Sequence, residues 1–326
     1  MLVNSAPNVI EYELKPNSSD WGWSDYYGAN FVASNYCNLS EQTNDFFWHH
    51  GLVSPWESLS CEHIVFNMKD KNLRYFVSST EQSELLIKNG FSRAKSIGLP
   101  IVYVELEKTE RIKNSLLIMP SHTLVGQLIN NKSSMLKFID LVNEYKKYFD
   151  KIGVCLHKND FENNYWVEEF NSLGLEILLG AQNNDKNTYY RQAYYYSTYE
   201  SILTNDFGSH VAYALFFGCK VSISNLSIEV NLLDDGTWAR NPSSINHIYS
   251  NEFISMRDKY LSKFYVEPTM AVEDIELGKE LVGYYHKISP FKMKFLFKWS
   301  ILGKLYWNLN DLKYKLNLKN RIKNLF

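Results

Sequence analysis

The amino-acid sequence predicts an α/β protein built on parallel β-sheets, and three observations support this fold class. Short apolar runs of strand length alternate with helical patterns along most of the chain. The chain has 326 residues, 45% of them hydrophobic, which is enough for two domains of ordinary size. Residues 202–224 have the pattern of a strand, a tight turn, a helix and a second strand. Such a βαβ unit favours parallel strand pairing.

Residues 1–110 are predicted to form the first α/β domain. A short buried strand ends at Trp48, and another strand covers residues 74–78. Residues 64–68 and 101–105 are similarly apolar and are also predicted as strands.

Residues 111–290 are predicted to form a second domain, which begins near the charged stretch 107–114. Ahead of the βαβ unit, strands are expected at 115–119, 152–156 and 175–179, and helices at 135–149, 165–173 and 189–199. This alternation predicts a Rossmann-like domain with a ligand crevice at the carboxyl ends of its strands. The sequence has no G-x-G-x-x-G motif, so no motif indicates dinucleotide redox chemistry.

Residues 291–326 differ from both domains and are predicted to form a basic amphipathic helix. From Lys287 to the end there are ten Lys and Arg residues and one acidic residue, Asp311. Aromatic and aliphatic residues recur at helical spacing and are expected on one face: Phe291, Phe295, Trp299, Leu302 and Tyr306. This face has two possible partners, the first domain or an anionic membrane surface.

The composition excludes several classes of protein. The formal net charge of −2 gives no indication of a nucleic-acid partner. Four scattered cysteines lack the spacing of a zinc site or a disulfide framework, so we expect reduced thiols and no metal. Neither a signal peptide nor about 18 consecutive apolar residues is visible, which favours a cytoplasmic protein.

The turn before the helix of the βαβ unit is a candidate anion site. Gly208 and Ser209 stand where the helix is expected to begin, between Asn205 and His210. Free N–H groups and the helix dipole at such a position attract phosphate, and Ser209 is expected to be the N-cap. The alternative is that Gly208 and Ser209 only form a good turn and cap.

Ser121 and His122 follow the first strand of the second domain and are expected to face the same crevice. His122 is a candidate donor to a phosphate or to a sugar carboxylate. The alternative is an imidazole that bonds only to nearby backbone.

Four stretches together resemble glycosyltransferases with the GT-B fold, in particular those of bacterial capsule and O-antigen clusters. They are FWHHGLVSP at 47–55, NGFSRAKSIGLPIVYV at 89–104, LLIMPSHT at 116–123 and ILTNDFGSHVAYALFFGC at 202–219. The WHHG turn is also similar to the Trp-His-Gly motif of the teichoic-acid polymerases, which share this fold. The order and spacing of the stretches carry the resemblance, because each one alone is weak.

The resemblance implies two Rossmann-like domains facing a cleft, a nucleotide-sugar donor, a glycan or lipid-linked glycan acceptor, and no metal or other cofactor. Gln182, after the strand 175–179, lies where this fold usually reads the nucleotide base, although an ordinary polar turn explains it equally. The glutamate-rich donor signature of retaining families is not evident, which favours an inverting enzyme acting on O-antigen, capsule or lipopolysaccharide.

An inverting enzyme needs a base, and His50 is the candidate. It follows a buried strand and precedes a glycine, and an imidazole ordinarily titrates near neutrality. Asp45 and Glu57 are alternatives, and His50 is also explained as a structural residue. The neighbouring His49 is expected to be structural.

The aromatic residues Trp21, Trp23 and Tyr26 are candidates for binding the acceptor, because flat rings stack on the apolar face of a sugar. Packing in a core is the alternative. Two other functions stay open for the whole chain. One is a sugar-nucleotide 2-epimerase of the same fold, and the other is a non-catalytic glycan-binding protein of the same pathway.

Overall fold

A computed structural model describes residues 26–42, 46–52, 61–65, 70–122, 127–129, 132–226, 230–232, 255 and 258–323. The candidates Trp21, Trp23, Asp45 and Glu57 lie outside these residues. The described chain forms two separate parallel sheets surrounded by helices, which confirms the predicted α/β class.

The first sheet has three parallel strands in sequential order. They are β1 (Phe46–Trp48), β2 (Arg74–Val77) and β3 (Ala94–Ser96). Three helices belong to this part of the chain: α1 (Ala29–Tyr36), α2 (Cys61–Val65) and α3 (Thr80–Lys88). The strand predicted to end at Trp48 and the strand predicted at 74–78 are therefore confirmed.

Two strands predicted for the first half differ from the structure, and one strand was not predicted. Ile64 and Val65, the start of the strand predicted at 64–68, are instead the end of α2, and residues 66–68 lie outside the described residues. Pro100–Tyr103 is a 3₁₀ helix with proline at its start and all four side chains buried. The missed strand, β3, has the sequence Ala-Lys-Ser and carries no apolar pattern.

The second sheet has five parallel strands in the order β7-β6-β4-β8-β9. Their bounds are Ile112–Met119 for β4, Lys151–Leu156 for β6, Glu176–Leu179 for β7, Tyr199–Thr204 for β8 and Lys220–Ile223 for β9. Two short strands, β5 (Gln127–Ile129) and β10 (Val230–Leu232), pair with each other outside this sheet. The first strand lies in the centre and the chain then winds to both sides, which is the order of a Rossmann-like half.

Helices cover both faces of this sheet, as a parallel sheet requires. On one face, α4 (Lys132–Tyr145) packs on Leu116 and Ile118 of β4. On the other face, α7 (Thr188–Thr198) and α8 (Ser209–Phe216) pack in a cluster that includes Leu117. Three shorter helices are α5 (Lys158–Glu162), α6 (Val167–Ser172) and α9 (Ile275–Leu281).

One hydrophobic cluster continues between the two sheets. Trp48 and Phe76 of the first sheet belong to the same buried cluster as Leu117 and Ile202 of the second. The two sheets therefore share a core while remaining separate ladders. The limits proposed at residues 110 and 290 stay predictions.

The last segment is helical in two pieces, so the single helix predicted from Phe291 is wrong. α10 (Pro290–Leu296) ends before a turn in which Lys298 has a φ of 62°, and α11 (Ile301–Lys323) follows. At the interruption, Phe297 is buried, and its ring centroid lies 4.2 Å from that of Phe46. Among the described residues, no helix combines the length and hydropathy needed to cross a bilayer.

Candidate active site

The carboxyl ends of β4 and β8 lie side by side in the second sheet, and the helices on their two sides cover opposite faces. A crevice for a ligand is expected at such a switch point. The backbone N–H of Ser121 donates to Asn205 Oδ1 at 2.7 Å, and Asn205 Nδ2 donates to Ser121 Oγ at 3.2 Å. Asn205 Nδ2 also donates to the carbonyl of Leu226 at 3.2 Å. These bonds fix the side chain of Asn205 at the edge of the sheet.

Three histidines surround this edge. The ring of His122 stacks on that of His157, with centroids 4.5 Å apart, and Nε2 of His210 lies 2.9 Å from Thr204 Oγ1. Burial, with a smaller contribution from the nearby His122, lowers the pKa of His157 to about 3 and that of His210 to about 4. Both rings are therefore neutral near pH 7, where they can donate N–H groups.

His157 was missed by the sequence reasoning, although a signal was present. His157 comes directly after the end of β6, and Ser121 comes two positions after the end of the neighbouring strand β4. Both residues therefore stand at the carboxyl edge of the same sheet. Nδ1 of His157 accepts the N–H of Asn159 at 3.2 Å, so His157 also caps α5. Histidine is an uncommon N-cap, so the sequence pattern did not indicate this role.

The start of α8 differs from the expectation in one detail. Gly208 is the N-cap and Ser209 is the first helical residue, so the prediction that Ser209 caps the helix is wrong. The Ser209 hydroxyl instead accepts the N–H of Leu52 at 2.9 Å, which comes from the turn after β1. Gly208 is extended, and a Cβ there would lie 3.2 Å from His210 Nδ1.

The turn after β1 is attached to the second half of the molecule through its backbone. The carbonyl of His50 accepts two hydroxyls, Tyr189 Oη from α7 at 2.8 Å and Tyr213 Oη from α8 at 2.9 Å. Together with the Leu52–Ser209 bond, these contacts place the candidate base beside the candidate phosphate-binding helix.

The imidazole of His50 has a different environment from its backbone. Tyr26 stacks on it with ring centroids 4.7 Å apart and an interplanar angle of 17°. Its Nδ1 is buried and has no hydrogen-bond partner among the described residues. Burial, with a smaller contribution from His49, lowers the pKa of His50 to about 3. His49 is buried with Nδ1 2.6 Å from the carbonyl of Gly51, as a structural residue would be.

The loop after β7 also reaches this region. Gln182 is buried, and its Nε2 donates to Asn184 Oδ1 at 2.8 Å. The next carbonyl, that of Asn183, accepts the N–H of Tyr27 at 2.9 Å. A fully buried ion pair between Arg191 and Asp185 holds the loop in place. Gln182 therefore lies near the aromatic residues around His50, with its amide engaged inside the loop.

No group of three or more potential metal ligands occurs among the described residues. Metal independence stays a prediction.

No protein-family model and no curated protein matches this chain. Among solved structures, it is similar to a point mutant of S. aureus TarM in complex with fondaparinux, alpha-GlcNAc-glycerol and UDP. That match has 11% sequence identity and a TM-score of 0.35, and it covers 80% of this chain and 52% of that chain. Another structure of TarM has 12% identity and a TM-score of 0.33, covering 82% of this chain and 52% of that chain. The chain thus spans about half the length of these structures, and likeness at this level establishes no shared activity.

Proposed function

We propose that this protein is a glycosyltransferase that moves a sugar from a nucleotide-sugar donor to a growing bacterial surface glycan. One observation carries the proposal. The turn with His50, from the first sheet, contacts the first residue of α8, from the second sheet, through the Leu52–Ser209 hydrogen bond. A candidate base and a candidate phosphate site are thereby neighbours, which is what transfer from a nucleotide sugar needs.

The donor diphosphate would bind at the carboxyl edge of β4 and β8. The first backbone N–H groups of α8 and the dipole of that helix would favour an anion there. Ser121, Asn205 and His210 supply further polar groups at the same edge. These groups are already fixed by hydrogen bonds, so they stabilise the leaving diphosphate at little cost in reorganisation.

His50 would take the proton from the acceptor hydroxyl. The acceptor oxygen then bonds to the anomeric carbon as the bond from that carbon to the diphosphate oxygen breaks, with inversion. A base works best when its pKa is near the working pH, and burial holds the pKa of His50 at about 3 in the free protein. The negative charge of a diphosphate at α8 favours the protonated ring and raises this pKa. Donor binding would thus prepare the base.

The acceptor is expected to be a lipid-linked glycan of O-antigen, capsule or lipopolysaccharide type at the inner face of the cytoplasmic membrane. Tyr26 supports an acceptor site beside the base, because its ring already stacks on His50. Trp21 and Trp23 belong to the same proposed site. The donor phosphate would be stabilised by the helix and its polar neighbours, so the reaction is proposed to need no metal.

Incubation with a panel of UDP-, GDP-, dTDP- and CMP-sugars tests the proposal. Release of the nucleotide, by transfer to an added glycan or by slow hydrolysis, supports a transferase, and it should persist in EDTA. Formation of an epimer without nucleotide release would show a sugar-nucleotide epimerase instead. A folded protein that neither binds nor turns over any donor would show that the enzyme proposal is wrong.

A further inference from the structure

The helix α11 is fixed to the first sheet by one of its faces. Trp307 is 5% exposed, and the guanidinium groups of Arg74 and Arg93 lie 5.4 and 5.6 Å from its ring centroid. Arg93 also forms an ion pair with Asp311 at 2.5 Å. Gly303, on the same face, lies against the backbone of Phe295 and leaves no room for a side chain. This face of the helix therefore packs against the rest of the protein.

The opposite face of α11 is apolar and faces solvent. Five of its residues are more than half exposed: Ile301 (78%), Leu302 (62%), Leu305 (57%), Leu309 (59%) and Leu312 (55%). At 3.6 residues per turn, these positions fall within an arc of about 100°. A helix docked on its own protein normally turns a polar face outward. We call these five residues the outer stripe.

The outer stripe is not the face expected from the sequence. Phe295 and Tyr306 contact each other, with ring centroids 5.1 Å apart, and Trp299 packs against Phe297 at 5.0 Å. Because the chain turns between α10 and α11, the residues predicted to share one face are distributed over two helices. Only Leu302 of the expected set belongs to the outer stripe.

The charge around the outer stripe indicates its partner. Ten basic residues and one acid lie between Lys287 and the end of the chain. The single acid, Asp311, is paired with both Arg93 and Lys298, at 2.5 and 3.5 Å. By sequence, the segment therefore has nine more basic than acidic residues. A second copy of this chain would bring two such positive helices together, which is unfavourable, whereas an anionic lipid surface neutralises them.

We propose that the outer stripe of α11 lies in the interface of an anionic membrane, with the leucines among the acyl chains and the lysines at the headgroups. This inference deepens the proposed function, because a lipid-linked acceptor would be held at the same surface. The helix would bind along the membrane plane, as basic amphipathic helices do.

Sedimentation of the full-length protein with vesicles tests the proposal. Vesicles of phosphatidylglycerol mixed with phosphatidylcholine should pellet the protein at low salt, and phosphatidylcholine alone should pellet far less. The double variant Leu305→Gln, Leu309→Gln should bind the anionic vesicles at least about tenfold more weakly, because two leucines that would be buried in the membrane are lost. High salt should weaken the binding of the wild type, because it screens the lysines.

The matched control is Ile87→Gln, Met270→Gln, which makes the same change at residues that are 49 and 66% exposed and lie outside the last segment. It should sediment as the wild type does. Wild-type protein that stays in solution with anionic vesicles, or a Leu305, Leu309 variant that pellets like the wild type, would overturn the proposal. The proposal would also be overturned if the wild type formed a dimer without lipid and the Leu305→Gln, Leu309→Gln variant were a monomer.

The vesicle assay contains neither donor nor acceptor, so its result is independent of the proposed reaction. Donor hydrolysis by the Leu305→Gln, Leu309→Gln variant should match that of the wild type in the absence of lipid. Loss of vesicle binding together with normal hydrolysis separates membrane attachment from catalysis.

Discussion

The two sheets contribute to the candidate site in different ways. At the edge of the second sheet, Ser121 and Asn205 are held by hydrogen bonds between their own side chains and backbone. In the turn after β1, the hydrogen bonds go to backbone atoms, the carbonyl of His50 and the N–H of Leu52. The imidazole of His50 has aromatic neighbours and an unpartnered Nδ1 among the described residues.

This difference separates two tasks. Side chains that are already fixed suit the binding of an anion whose position does not change, because they need no reorganisation. The imidazole of His50 is positioned by its backbone and has no partner on Nδ1 among the described residues, and a nearby negative charge would raise its lowered pKa. In the proposed reaction, the edge of the second sheet binds the donor phosphate and the turn after β1 supplies the base.

The largest effect is expected for His50→Ala. Removing a general base lowers turnover by roughly 10²–10⁴-fold, while the donor should still bind because the edge of the second sheet is unchanged. Turnover of a nucleotide sugar and nucleotide affinity are measured on the same preparation. His286→Ala, in a turn after α9, is the matched control and should keep full activity. Near-normal turnover in the His50 variant would make His50 a structural residue.

A smaller effect is expected for Asn205→Asp. The new carboxylate still accepts the N–H of Ser121, but it places a negative charge at the proposed diphosphate site. Nucleotide affinity should fall about tenfold, the effect of one repulsive charge at short range near a protein surface. Asn308→Asp on the exposed side of α11 adds the same charge elsewhere and should not change affinity. An unchanged affinity in the folded Asn205 variant would remove this residue from the site.

A third effect concerns stability and pH. Burial lowers the pKa values of His49 and His210 to about 4 and those of His50 and His157 to about 3, from an ordinary 6.5. In the unfolded chain these rings take up protons as the pH falls through 6.5, whereas the folded protein excludes those protons until about pH 4. The free energy of unfolding should therefore be highest above pH 6.5 and should decrease as the pH falls from 6.5 toward 4.

Urea denaturation over this pH range measures the decrease. His50→Gln removes one of the four histidines, so its slope should be shallower by at most about 1.4 kcal/mol per pH unit. His286→Gln should keep the slope of the wild type. Equal slopes for wild type and His50→Gln would contradict the buried, neutral state of His50.

The sequence predicted the second half of the fold better than the first. The strands β4, β6, β7 and β8 are apolar runs bounded by turn residues, and the helices between them have a clear helical period. In the first half, strands of three or four residues and the buried 3₁₀ turn at Pro100–Tyr103 have too few residues to show a period. The face of α11 was mispredicted because the helix is interrupted at Phe297.

For the candidate site, the sequence identified residues at strand ends but not their partners. Ser121, Asn205 and His210 lie together because the order of the sheet brings their strands together, which the βαβ pattern indicates. The Leu52–Ser209 bond joins residues 157 positions apart, and no local pattern encodes it. His157 escaped notice because its environment is created by His122 from another strand.

Calorimetric titration of UDP, GDP, dTDP and CMP into the wild type, Gly208→Val and His50→Ala is the most direct test of a nucleotide site at the start of α8. The backbone of Gly208 is extended and accepts valine, but the new side chain would crowd His210 at the phosphate position. One nucleotide should bind the wild type and His50→Ala equally and Gly208→Val at least about tenfold more weakly, a loss of about 1.4 kcal/mol. If none of these nucleotides binds the wild type, or if a folded Gly208→Val binds as tightly as the wild type, no nucleotide site lies at the start of α8.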